Sequence, residues 1–129
     1  MRSFVIAAFL ICSIGSTTAA EWKVIDSQPS RSIYADFDSI RRIGDTARIW
    51  VLVNYTTPQS GKGKKYRSVT NLTEVDCNQE RVRLLQGTIF SGKMGGGEIV
   101  TSDNSASNWE YVQPGSLNEL QRSIACKTR

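Results

Sequence analysis

The chain has no histidine. That removes the side chain most used as a general base near neutral pH and the commonest metal-binding ring. It has only three cysteines, and two of them, Cys77 and Cys126, lie beyond the first twenty residues. It also lacks a run long enough to span a bilayer. The longest apolar stretch, Phe4 to Ile14, falls well short of the ~20 residues a membrane helix needs. Charge of either sign is not in large excess: 16 basic against 12 acidic residues give +4. A balance this mild attracts anionic surfaces weakly and does not point to nucleic acid.

What is present at the N-terminus reads as an export leader. Arg2 supplies the positive start, Phe4 to Ile14 the apolar centre, and Gly15 to Ala20 the small residues before a cut. We expect cleavage after Ala20, dividing the chain into a leader at 1–20 and one domain at 21–129. The competing reading is a lipoprotein acylated at Cys12. Against it, Ile11 is bulky where such sites want a small residue. With the leader gone, no transmembrane segment is expected in the mature chain.

In an oxidising compartment the two remaining cysteines most simply pair with one another. Closing a loop of about 50 residues would constrain the unfolded chain by roughly 4 kcal/mol. Two free thiols or a metal pair are the alternatives.

The pattern along the domain is mostly that of strands. Trp22–Asp26 and Ser32–Ala35 read as strands separated by turn chemistry at Ser27–Ser30. Asp36–Ile40 reads as a short turn that Asp36 or Asp38 caps. Ala47–Tyr55 is the strongest strand, with Ile49, Val51 and Val53 on one face and Trp50 and Leu52 on the other. Thr57–Lys65 reads as a polar hairpin loop, Tyr66–Cys77 as a long strand and Arg81–Ser91 as another. Gly92–Gly97 reads as a flexible turn before a short strand at Glu98–Ser102, with Trp109–Val112 a further packed segment. The period then changes. Ser116-Leu117-Asn118-Glu119 is a capping box, and Leu117, Leu120 and Ile124 follow at helical spacing. The expected fold is α+β: an antiparallel sheet of about six strands, with one C-terminal helix on one face tied down by Cys77 and Cys126.

The chemistry-bearing candidates are few. Serines have no partner base. Asp36 and Asp38 share a strand face but read as turn caps. Asp76 reads as a solvated strand end, and Glu98 with Asp103 lacks metal-ligand spacing. Gly92–Gly97 lacks the Lys-Ser/Thr ending of a phosphate loop. Two glycosylation sequons, at Asn54 and Asn71, are taken as chance. No enzymatic activity and no cofactor are expected. Two surfaces stand out. Lys62, Lys64, Lys65 and Arg67, ending around Tyr66, form a cationic segment able to engage a polyanion. Trp50, Leu52, Tyr66 and Leu72 form an apolar second face that one helix cannot cover, and so a candidate homodimer face.

The order of short pieces resembles the bacterial surface-adhesin protein E family. The pieces are Trp22; Ile33-Tyr34-Ala35-Asp36 with Ser39-Ile40; Ile49 to Tyr55; Tyr66-Arg67-Ser68 leading to Val75-Asp76-Cys77; Trp109; Pro114-Gly115-Ser116; and Ile124-Ala125-Cys126. The resemblance implies a compact antiparallel sheet, a disulfide-tied helix and a dimer. It implies partners among host extracellular-matrix and plasma proteins, such as vitronectin, laminin and plasminogen. It also implies an exported protein of the periplasm or outer surface, although those relatives are lipoproteins and this chain departs from that pattern at Cys12. The alternative function is a periplasmic envelope-maintenance or structural protein with no host ligand. A third, inhibition of a secreted lysozyme, sits poorly with two basic partners repelling each other.

Overall fold

The computed structural model describes residues 20–127. Residues 1–19 of the expected leader, Cys12 among them, lie outside the described residues.

Strands follow one another as an antiparallel meander: β1 (Trp22–Ser27), β2 (Arg31–Ile43), β3 (Thr46–Gly61), β4 (Lys64–Asp76), β5 (Arg81–Phe90) and β6 (Ile99–Asp103). A two-residue strand, β7 (Glu110–Tyr111), pairs with β5 at Arg81 and Val82. The helix α1 (Leu117–Lys127) closes the chain. Neighbouring strands are joined by short connections, so most pairings close small loops.

Strand alternation sends one set of side chains toward α1. Ile33, Ala35, Ile40, Ala47, Ile49, Val51, Val53, Val75 and Val82 form this core, and Ala125 of the helix completes it. Complete burial of a branched aliphatic side chain contributes about 1.5–3 kcal/mol, so this face carries most of the stability. The spacing of Leu117, Leu120 and Ile124 gives the helix its period, but its deepest positions are Gln121 and Ala125. Ala125 is fully buried because its small side chain lets the helix axis approach the sheet. The capping box forms at its start. Ser116 Oγ accepts the Glu119 amide at 3.2 Å, and the Glu119 carboxylate reaches back to the Gly115 amide. At its end the disulfide joins Cys77 to Cys126 with Cα atoms 5.8 Å apart.

Three segments differ from their sequence reading. Asp36–Ile40 is a bulge within β2 rather than a turn. Asp36 Oδ1 accepts the Asp38 amide at 3.1 Å, and Ser39 Oγ donates to the Asp36 carbonyl at 2.6 Å. The expected local capping is therefore present, but it re-aims a strand instead of ending it.

The expected loop at Thr57–Lys65 is mostly ladder. β3 and β4 continue past a bulge between Asn54 and Gln59 and meet in a two-residue turn at Lys62 and Gly63. Both turn residues have positive φ, 53° and 71°, the pair that matches the twist of a two-residue hairpin. Gly63 takes that φ without the penalty Lys62 bears.

The Gly92–Gly97 segment is a pinned flap. It contains a 3-10 turn at Lys93–Gly95 and folds over the sheet face opposite the helix. Ser68, fully buried, donates to the Gly92 carbonyl at 2.6 Å and accepts the Gly95 amide at 2.9 Å. The Met94 amide donates to Asn54 Oδ1 at 2.9 Å. Glycine is required at Gly97, where φ is 71° and an added Cβ would stand 2.4 Å from Ser91 Oγ.

Candidate binding surfaces

The face opposite the helix can be read as rows crossing the strands, because the register is fixed. One row is Ser32, Asn54, Ser68, Phe90; the next is Tyr34, Leu52, Thr70, Thr88. Then come Trp22, Asp36, Trp50, Leu72 and Gln86. Beyond them stand Arg41, Arg48, Glu74 and Arg83. The face thus changes from apolar and hydroxyl-bearing at one end to fully charged at the other.

The charged end is an ionic ladder. Glu74, only 5% exposed, holds Arg48 Nε at 3.1 Å and Arg83 Nη2 at 2.7 Å. Asp76, read from sequence as a solvated strand end, is buried. It accepts Arg81 Nε at 3.0 Å and the Gln79 and Asn78 amides at 3.0 and 3.1 Å. Trp109 lies against both arginines, its ring centre 4.6 Å from Arg81 Cζ and 4.5 Å from Arg83 Cζ, so the guanidinium groups gain cation–π contact as well as charge. The segment before the helix is strapped over this end by β7 and by the Val112 amide, which donates to the Glu80 carbonyl.

The Gln79 amide is the main cause that holds the Asp76 carboxyl below its ordinary 3.8. Burial opposes it, while Arg81 and the Asn78 amide act in the same direction as Gln79. A lowered folded value means that Asp76 stabilises the fold fully above its unfolded value, and that this stability is lost as pH falls through the folded one. Acid unfolding followed by circular dichroism should therefore show a shallower loss of stability below pH 4 for Asp76→Asn than for the native chain, with the native chain the more stable at neutral pH.

The candidate cationic residues do not form one cluster. Lys62, Lys64 and Lys65 are exposed at the hairpin tip, and none makes an ion pair among the described residues. Lys65 Nζ donates to Ser60 Oγ at 2.9 Å. Tyr66 instead turns inward and meets the edge of Tyr55 at 5.9 Å between ring centres. Tyr55 itself packs against the core, and burial pushes its hydroxyl pKa up, helped by Tyr66 and opposed by Arg31. Arg67 is half-buried, and its Nε has no hydrogen-bond partner. The tip is thus a three-lysine feature standing on a tyrosine pair.

The four candidate dimer-face residues are also divided. Trp50 and Leu72 are direct cross-strand neighbours and stay half-exposed. Leu52 is fully buried, with the backbone of the flap at Gly95 over it: a Cβ there would sit 3.7 Å from Leu52 Cδ1. Tyr66 belongs to the hairpin. A second copy docking on this face would meet Trp50 and Leu72, not Leu52.

Two grooves among the described residues bear on binding. One, of about 550 Å³, lies between the start of the helix and the β1–β2 hairpin, walled by Asp26, Arg31, Leu117, Glu119 and Leu120 among others. The other, of about 400 Å³, is lined by Ala20, Trp22, Asp36, Ser39, Trp50 and Thr70. No group of histidine, cysteine and carboxylate residues able to hold a metal occurs among the described residues. No helix among them is long and apolar enough to cross a membrane.

The family model described as Surface-adhesin protein E matches residues 22–127. Solved structures of Haemophilus influenzae protein E share the fold. One superposes with a TM-score of 0.60 at 15% identity, covering 79% of this chain and 87% of that one. A second crystal form gives 0.61 at 14% identity, over 79% and 91%. Protein E from a non-typeable Haemophilus influenzae gives 0.59 at 15% identity, over 84% and 81%. No curated protein sequence matches the chain.

Proposed function

This chain belongs to the surface-adhesin protein E family, and we propose that it is an exported adhesion module whose lysine-tipped hairpin engages acidic segments of extracellular-matrix proteins. The observation that carries this reading is the hairpin itself. Three ammonium groups, unpaired with any carboxylate among the described residues, are exposed on a narrow ribbon that continues past the bulge in β3. Its base is stiffened by the Tyr55–Tyr66 contact, so ordering the tip on binding costs little backbone entropy. Exposed charges of this kind speed encounter and set partner sign more than they add affinity.

The test is surface plasmon resonance of the exported domain over immobilised laminin, vitronectin and heparin. Replacing Lys62, Lys64 and Lys65 together by Ala should weaken binding by about tenfold, since each exposed charge contributes up to ~1 kcal/mol. Raising salt should shrink the difference, because exposed charges are screened within about 8–10 Å at physiological ionic strength. Equal binding by the native and triple-alanine proteins to all three surfaces would sink the hairpin's role.

A further inference from the structure

The hairpin tip leaves unused the groove on the sheet face opposite the helix. Trp22 and Asp36 are direct cross-strand partners, as are Asp36 and Trp50. Strands lie about 4.8 Å apart, so two indoles are anchored roughly 10 Å apart with a carboxylate between them. Asp36 is 8% exposed, and it makes no ion pair among the described residues. Among the described residues its one donor is the Asp38 amide, on Oδ1. The neighbouring Arg41 is committed elsewhere, its Nη1 donating to the carbonyls of Asp38 and Ile40. A carboxylate withdrawn from water without a cation is unfavourable unless something compensates it.

We propose that this groove binds an organic cation, the ammonium of a lysine or the guanidinium of an arginine side chain on a partner protein. The charge sits against Asp36, and the alkyl stem lies between the Trp22 and Trp50 rings. Indole faces attract cations within about 6 Å of the ring centre, most strongly where water is displaced. The Thr70 hydroxyl, which has no hydrogen bond within the described residues, is available to accept a further N–H of the ligand. Ser39 Oγ is already held, donating to the Asp36 carbonyl and accepting the Trp50 amide at 3.3 Å, so it stiffens the site instead of contacting ligand. The cavity of about 400 Å³ is within the range of small-ligand sites. A sugar could stack on the same rings and donate hydroxyls to the carboxylate, but it would bring no charge to neutralise it.

The experiment is an indole N–H titration by two-dimensional NMR on the exported chain, in which the expected cut after Ala20 removes one rim residue and keeps Trp22, Asp36, Ser39, Trp50 and Thr70. The probes are Nα-acetyl-lysine methylamide and Nα-acetyl-arginine methylamide, with the norleucine analogue as uncharged control and methyl glucoside as the sugar. The proposal predicts saturable shifts at Trp22 and Trp50, with Trp109 unmoved, for at least one cationic probe. The stronger of the two identifies the side chain. Asp36→Asn keeps an acceptor for the Asp38 amide and should weaken binding about tenfold or more, the scale of a lost charged hydrogen bond. Trp22→Ala, on an edge strand, gives a second variant with the same expectation should Asp36→Asn fail to fold. Absence of saturable shifts overturns the proposal. So does equal binding by the norleucine analogue, a response to methyl glucoside alone, or unchanged affinity in the folded variant. The hairpin reading stands or falls separately, since no lysine of the tip lines this groove.

Discussion

Removing the Cys77–Cys126 bond should lower the unfolding midpoint by roughly 15–30 °C. The bond closes a loop of 49 residues in sequence, and the chain-entropy relation assigns about 4 kcal/mol to a loop of that size. For a domain near 100 residues each kcal/mol shifts the midpoint by about 4–8 °C. The geometry explains why little else replaces it. Cys77 is the first residue past β4, its amide held by the Asp45 carbonyl at 2.8 Å. Cys126 lies in the last turn of the helix, where Arg42 Nη1 from the sheet donates to its carbonyl at 2.8 Å. Calorimetry of the Cys77→Ala/Cys126→Ala double variant checks the figure. A shift of only a few degrees would mean that the helix is held by its apolar contacts and the bond is incidental.

Leu52→Ala should destabilise the domain by about 2–5 kcal/mol, the range for truncating a leucine in a filled core. Its cross-strand neighbours and the flap backbone leave it no exposure. Leu72→Ala, one row away and half-exposed, should cost under ~1.5 kcal/mol by the same reasoning. Urea unfolding of the two variants separates the cases. Similar small losses for both would show that the flap does not seal the face in solution, and would return Leu52 to the surface that a partner copy could use.

The difference between those two leucines shows where sequence reasoning stops. Period-two alternation in Ala47–Tyr55 identifies two apolar faces correctly, and the helical spacing after Ser116 identifies what covers the first. Nothing in the alternation says that the cover of the second is a glycine-rich segment some forty residues later. That depends on Ser68 and Asn54, polar residues on a strand whose hydrogen bonds to the flap exist only once the register is set. The ionic ladder is hidden for the same reason. Glu74 gains its partners only when Arg48 and Arg83 are brought beside it from the strands on either side. Thr57–Lys65 reads as a hairpin loop because it has no apolar alternation to reveal the ladder that Gln59–Gly61 forms with Lys64–Tyr66. The only signal was Gly63 after Lys62, a pair suited to a two-residue turn. The pairing of Cys77 with Cys126, by contrast, is the simplest of the readings open to two cysteines once export is expected, and the bond is present.

The groove at Trp22, Asp36 and Trp50 was legible in part. Trp50 stood out as an apolar residue needing cover, and Asp36 as a turn cap. Their adjacency follows from cross-strand pairing that brings residues 22, 36 and 50 into one line.

Adhesion requires that the lysine tip face the outside of the cell. The direct measurement is labelling of intact cells with a membrane-impermeant amine reagent, followed by mass spectrometry of the hairpin peptide. Modification is expected at Lys62, Lys64 and Lys65 on intact cells, at levels close to those after lysis. Labelling that appears only after the envelope is broken would contradict it and place the protein in the periplasm, without access to any matrix ligand.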